Sequence, residues 1–233
     1  FAYNYFKKAE HVEAPGKDIA RLSLAKHFFY LGNVLFEQKN FENSIKAYSI
    51  SLELDEHAGA YNNRGLAYAE LGEHERAIED FDKAIELNKE YANAYYNRGL
   101  AYAKQQKYNE AIKDFNKTIK LNKDDAEAYN NRGSAYVKLG EYERAIEDYN
   151  KAIKLNPDLA EAYYNRGFVY ARLGEHDRAR EDMLRAGNLF TNERRIEYAI
   201  RACEEIFNIG EESERVIAGH ILLLHSYISG RDS

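Results

Sequence analysis

Cysteine, proline and tryptophan are nearly missing from this chain of 233 residues, which has one Cys, two Pro and no Trp. A single cysteine excludes an intrachain disulfide and a thiolate metal cluster. No run approaches the roughly 18 apolar residues that a membrane span needs. Lys/Arg blocks are also missing: 33 basic residues face 39 acidic ones, a formal net charge of −6. Such a chain is poorly suited to phosphate backbones, so no nucleic-acid partner is expected. The opening residues, Phe1-Ala2-Tyr3-Asn4-Tyr5, show neither an initiator Met nor a signal-peptide pattern. One cysteine and no visible signal point to a reducing cytoplasm. The apolar share, 45%, is ample for a core.

Periodicity is what the chain does have. Tyr-(Asn/Tyr)-Asn-Arg-Gly occurs at Tyr61–Gly65, Tyr95–Gly99, Tyr129–Gly133 and Tyr163–Gly167, each copy 34 residues after the last. A divergent copy, Phe28-Phe29-Tyr30-Leu31-Gly32, precedes them. Each unit reads as two helices. Tyr61, Arg64, Gly65 and Tyr68 share one helical face, and Leu71-Gly72-Glu73 ends that helix with a glycine suited to a left-handed cap. A second stripe follows at Ala77, Phe81, Ala84 and Leu87. Phe115, Tyr149 and Met183 take the place of Phe81 in the later copies. Alanines mark where the helices approach closely, and aromatics fill the space beside them. Strand patterns are absent, so the chain is expected to be all-α.

These residues resemble the tetratricopeptide repeat, a 34-residue helix-turn-helix pattern of an aromatic, Leu-Gly, Tyr, then Ala, an aromatic and often Pro. Here it runs Tyr129, Gly133, Tyr136, Ala145, Tyr149, Ala152 and Pro157, with Arg132 where the family usually has Leu. The repeats are assigned to 25–57, 58–91, 92–125, 126–159 and 160–193. The resemblance implies a right-handed α-solenoid of tandem repeats that binds proteins and is not an enzyme.

The ends are different. Residues 1–24 form an N-terminal segment in which Phe6, Ala9, Val12 and Pro15 have nearly the spacing of Tyr149, Ala152, Leu155 and Pro157. Residues 1–16 are therefore either the tail of a truncated repeat, which would make the chain a piece of a longer protein, or a capping helix of their own. Asp18 is expected to cap a helix running to about Glu37. Residues 194–233 read as a divergent helical pair, the second helix spanning about 212–228 and apolar around most of its circumference. A solenoid cap should show water a polar face. This helix therefore packs into the groove, meets another subunit, is covered by a further segment, or is simply buried.

In this family the first helices line the concave surface where ligands lie. That implies Tyr96, Asn97 and Lys104 in the third repeat, Asn130, Asn131 and Lys138 in the fourth, and Tyr164, Asn165, Phe168 and Arg172 in the fifth. Asn63, Asn97, Asn131 and Asn165 form a column. A primary amide can pair with both C=O and N–H of an extended peptide, and the column resembles the asparagine ladders of peptide-binding family members. The alternative is that each Asn bonds an adjacent helix. On the ladder reading, changing Asn97 and Asn131 together to Ala weakens a partner and leaves thermal stability nearly unchanged. Tyr96, Tyr164 and Phe168 would supply apolar contacts.

Co-chaperone members of the family clamp a C-terminal carboxylate with Lys and Asn, then Asn, then Lys and Arg, from three consecutive repeats. Here those places hold Phe29 and Asn33, then Asn63, then Asn93 and Asn97. The cations are missing, so a chaperone-tail clamp is not expected. Arg64, Arg98, Arg132 and Arg166 each have an Asp sixteen residues on, whereas the first repeat has Leu31 and Ala47 and so loses both partners together. That pairing predicts partly buried Arg–Asp bridges between the helices of a repeat. No His pair has metal-binding spacing, Cys203 lies on an apolar stripe, and no nucleophile elbow or phosphate loop is present. No cofactor or metal is expected. The function expected is a non-catalytic scaffold that holds an extended peptide or helix of a partner. Self-association through 212–228, or service as a regulatory region of a larger enzyme, are the alternatives.

Overall fold

The computed structural model describes residues 17–209. Among these there are eleven α-helices and no strand. They are α1 (Lys17–Glu37), α2 (Phe41–Leu54), α3 (Ala58–Glu70), α4 (His74–Leu87), α5 (Ala92–Lys104), α6 (Tyr108–Leu121), α7 (Ala126–Lys138), α8 (Tyr142–Leu155), α9 (Ala160–Arg172), α10 (His176–Asn192) and α11 (Ile196–Ile209). The described residues fall into two compact units, divided between 121 and 122. The first carries α1–α6 and the second α7–α11. The all-helical, tandem helix-turn-helix expectation holds.

In the first unit α1 packs on α2, α3 on α4 and α5 on α6, and α2 and α4 each pack on the first helix of the next pair. The first helices also meet, α1 with α3 and α3 with α5. In the second unit α7 packs on α8, α9 on α10 and α10 on α11, with α8 and α7 both against α9.

One close contact recurs within the pairs and explains the glycine of the repeat. A Cβ added to Gly65 would lie 2.7 Å from the Phe81 ring and 3.1 Å from the Ala77 carbonyl oxygen. At Gly99 and Gly133 it would lie 2.8 Å from Phe115 and Tyr149. The rings of Phe81, Phe115 and Tyr149 are thereby fully buried, a contribution of about 2 kcal/mol each. Ala77, Ala84, Ala111, Ala145 and Ala152 are buried too; a larger side chain there would hold the helices apart.

The turns follow from capping. After α3 the Gly72 backbone has φ 77°, and the Glu73 amide donates to the Tyr68 carbonyl at 2.9 Å. That closes the end of α3 by a left-handed cap. In the third pair Gln106 adopts the same conformation, φ 61°, so the motif survives without glycine. Asp18 lies inside the first turn of α1 rather than capping it, where its carboxylate meets the positive end of the helix dipole. No helix among the described residues is long and apolar enough to cross a membrane. The segment at residues 1–16 and the apolar stretch 212–228, with its expected self-association, lie outside the described residues.

Candidate functional site

The repeated arginines hold the scaffold. Arg64 donates to both carboxylate oxygens of Asp80, Nε and Nη2 each at 2.8 Å. The same two-pronged bridge joins Arg98 to Asp114, Arg132 to Asp148 and Arg166 to Asp182, at 2.6–2.8 Å. Each guanidinium also lies between two tyrosines of its own helix, Tyr61 and Tyr68 in the case of Arg64 at 5.5 and 6.0 Å. In three of them the third nitrogen reaches the preceding pair: Arg64 Nη1 donates to the Ser49 hydroxyl at 2.9 Å, Arg98 Nη1 to Asp82, and Arg166 Nη1 to Asn150. The sequence had a signal for this last bond that went unused, because Asp82 and Asn150 stand sixteen residues before their arginines. Burial pushes the Asp114 and Asp148 carboxyls up, while Arg98 and Arg132 pull them down. A buried ion pair recovers its dehydration cost only in part, so such a bridge serves the alignment of the helices as much as their stability.

The asparagine column is tied to neighbouring helices. In the first unit Asn63 Nδ2 donates to Asn33 Oδ1 at 3.0 Å, Asn62 Nδ2 to Asn63 Oδ1 at 3.1 Å, and Asn97 Nδ2 to Asn62 Oδ1 at 2.9 Å. The Tyr48 hydroxyl donates to the same Asn33 oxygen at 2.7 Å. An amide relay therefore crosses the first helices of three pairs. In the second unit Asn165 Nδ2 donates to Asn130 Oδ1 at 3.0 Å, and Asn130 is buried. The expectation that replacing Asn97 would leave stability nearly unchanged needs correction. Asn62 is only 4% exposed, and without Asn97 its buried carbonyl loses a donor. Asn63 and Asn97 each spend one N–H on these bonds and keep a second, whereas Asn165 Nδ2 also reaches the Ser134 hydroxyl at 3.4 Å.

The remaining expected residues sit on the first helices with varied surroundings. Asn131 and Tyr96 are half-buried, Tyr96 with its ring 6.0 Å from Phe115. Tyr164 packs edge-on against Phe190 at 6.4 Å, and with Phe168 it lies against Met183, Ala202 and Ile206. Those two aromatics thus serve the α9–α10–α11 core with much of their apolar surface. Lys104, Lys138 and Arg172 are exposed in the last turns of α5, α7 and α9, where the helix dipole favours a cation. The Arg172 guanidinium lies 5.0 Å from the Phe168 ring centre.

Two clefts open beside these residues. In the first unit Asn33, Phe36, Glu37, Tyr48, Asn63 and Leu66 line one of about 240 Å³. Phe36 and Glu37 escaped the sequence reading, whereas Leu66 has the same place in its repeat as Leu100 and Phe168 and is expected on the concave surface from the repeat pattern alone. In the second unit Asn130, Asn131, Glu127, Asp158 and Glu161 help to line one of about 440 Å³ beside Arg195, which pairs with Glu161.

Among the described residues no group of three or more His, Cys, Asp and Glu is placed to hold a metal ion. Cys203 is buried and burial pushes its thiol up, which suppresses the reactive thiolate.

Comparison with known proteins agrees with the repeat geometry. Models described as TPR repeat and Tetratricopeptide repeat match residues 65–106, 99–140 and 133–174, and residues 160–193. The Hsp70-Hsp90 organizing protein of Triticum aestivum is 42% identical over 60 residues, 25% of this chain and 10% of that protein. Hsp70-Hsp90 organizing protein 1 of Arabidopsis thaliana is 39% identical over 61 residues, 26% of this chain and 11% of that one. The chain thus spans about a tenth of the length of these curated relatives. A crystal structure of MamA superposes with a TM-score of 0.64 at 29% identity, covering 70% of this chain and 96% of MamA. YrrB, described as a TPR protein with an unusual peptide-binding site, shares the fold at 24% identity and a TM-score of 0.61, covering 76% of this chain and 90% of YrrB.

Proposed function

Because the chain belongs to the tetratricopeptide repeat family and is a protein-interaction scaffold, we propose that it holds an extended segment of a partner protein along its first helices. The observation that supports this most directly is the cleft at Asn33, Phe36, Asn63 and Leu66. There apolar walls stand beside amides that are already oriented by the relay. Oriented amides lose little freedom when they bind a peptide backbone, which is the benefit of preorganisation. The amides of Asn63, Asn97, Asn131 and Asn165 would bond the main chain of the partner. Tyr96, with the exposed parts of Tyr164 and Phe168, would meet side chains, and Lys104, Lys138 and Arg172 would stand at the edge.

The names of the Hsp70-Hsp90 organizing proteins support a protein as the partner. They do not make it a chaperone tail, since Phe29 and Asn93 stand where that clamp needs cations. Peptides selected by display on the whole chain would test the groove. A photo-cross-linking residue at Lys104 or Lys138 should trap them, and one at exposed Glu79 or Glu143 on the second helices should not. Equal trapping from both faces would overturn the reading. These four sites are exposed, so the fold tolerates the substitutions.

A further inference from the structure

The last residue of each first helix occupies one place in the repeat: Glu37, Glu70, Lys104, Lys138 and Arg172. Unpaired carbonyls give a helix C-terminus partial negative charge, which favours a cation there and disfavours a carboxylate. Lys104, Lys138 and Arg172 follow that preference. Glu37 and Glu70 run against it, and no basic residue stands in the last turn of α1 or α3. Both carboxylates are exposed, and no cation among the described residues pairs with either. The fold itself gives no reason for these two charges.

Glu37 is also a wall of the cleft in the first unit. Asn33 Oδ1 already accepts from Tyr48 and Asn63, so what Asn33 retains for a ligand is its Nδ2 donors. The cleft therefore offers amide donors, an aromatic and an aliphatic wall, and one carboxylate beside the negative end of α1. It repels an acidic group. A long basic side chain meets every part of it, because its stem is apolar and its head is cationic. We propose that the partner segment carries a Lys or Arg whose stem lies between Phe36 and Leu66 and whose charge meets Glu37, with the adjoining main-chain carbonyl on Asn33. This rests on the groove reading above and names the chemistry of its ligand.

The test uses the whole chain and two end-blocked peptides, one alternating Lys with Leu and one alternating Glu with Leu, read by fluorescence anisotropy. The Lys peptide should bind and the Glu peptide should not. Glu37→Lys should weaken the Lys peptide by about tenfold or more, as expected when a desolvated charge contact becomes repulsive. Glu79→Lys makes the same change in net charge on an exposed outer site, and screening should hold its effect to about twofold. Equal losses in the two variants, or a preference for the Glu peptide, would overturn the inference. If displayed peptides cross-link from Lys104 yet ignore Glu37→Lys, the inference falls and the groove reading stands. If nothing cross-links from the first helices, both fall. Glu37 is exposed and ends its helix, so the variant keeps the fold.

Discussion

The first and second helix pairs solve one packing problem with different chemistry. In both, a glycine of the first helix meets a buried ring of the second: Gly32 meets Tyr48, and Gly65 meets Phe81. The polar links then diverge. Between α1 and α2 the Ser44 hydroxyl donates to the Gly32 carbonyl at 3.0 Å and the Ser51 hydroxyl to the Ala25 carbonyl at 2.9 Å, while Arg21 Nε reaches the Leu54 carbonyl at 2.7 Å. Between α3 and α4 the link is the Arg64–Asp80 bridge. The first pair has Leu31 and Ala47 at those places. Close approach is thus what the pairs share, and a charge bridge is one of two ways to align helices that are already in contact.

The largest effect should come from breaking the bridge on one side only. Asp80→Ala leaves Arg64 half-buried beside Tyr61 and Tyr68 without its carboxylate, at a cost of about 3 kcal/mol in a denaturant titration. Converting both residues to those of the first pair, Arg64→Leu with Asp80→Ala, should return the chain to within about 1 kcal/mol of the parent. A double variant as unstable as the single one would show that the second pair depends on the bridge itself. Next comes the contact the pairs share. Gly65→Ala drives a Cβ against the Phe81 ring and the Ala77 carbonyl and should cost about 2 kcal/mol by the same titration.

The last effect vanishes at neutral pH and separates the pairs by their rings. Burial pushes the phenols of Tyr48 and Tyr149 up, and Tyr61 rises to about 12, again chiefly by burial. Above the unfolded tyrosine value near 10, the folded chain keeps protons that the unfolded chain has lost. Stability is therefore complete below about pH 10 and falls as the pH rises towards the folded values. Tyrosinate absorbance during alkaline titration should show late-titrating phenols that ionise together with loss of helix. Tyr48→Phe should remove part of that lability, since the second pair already has Phe81 there.

Much of this was legible in the residues. The 34-residue spacing and the Arg–Asp pairs sixteen apart each require one partner in one place, so spacing alone identified them, whereas the ring that each repeat glycine faces came with the structure. The asparagine column was not legible in the same way. An amide is donor and acceptor at once, and spacing cannot say whether its partner is a ligand or the next helix. Asn97 bonds Asn62 of the preceding pair, which lies one place out of the column. Asn63 instead bonds Asn33, because Phe29 stands in the first pair where the second has Asn62. Glu37 was overlooked for the opposite reason. The helix was expected to end there, but a surface carboxylate looks ordinary until the cleft beside it, with Phe36 and Leu66, is seen.

The third nitrogen of the repeated arginine has a consequence for how the array comes apart. Arg64 and Arg98 each fasten their own pair to the one before it, through Ser49 and Asp82 respectively. In a linear array, unfolding cost is a sum of unit terms and junction terms. The junction at Ser49 rests on a neutral hydroxyl and the one at Asp82 on a charge, so added salt loosens the second junction more than the first. Ionic strength then sets where along the first unit the chain begins to unzip, shifting the starting point without altering any helix.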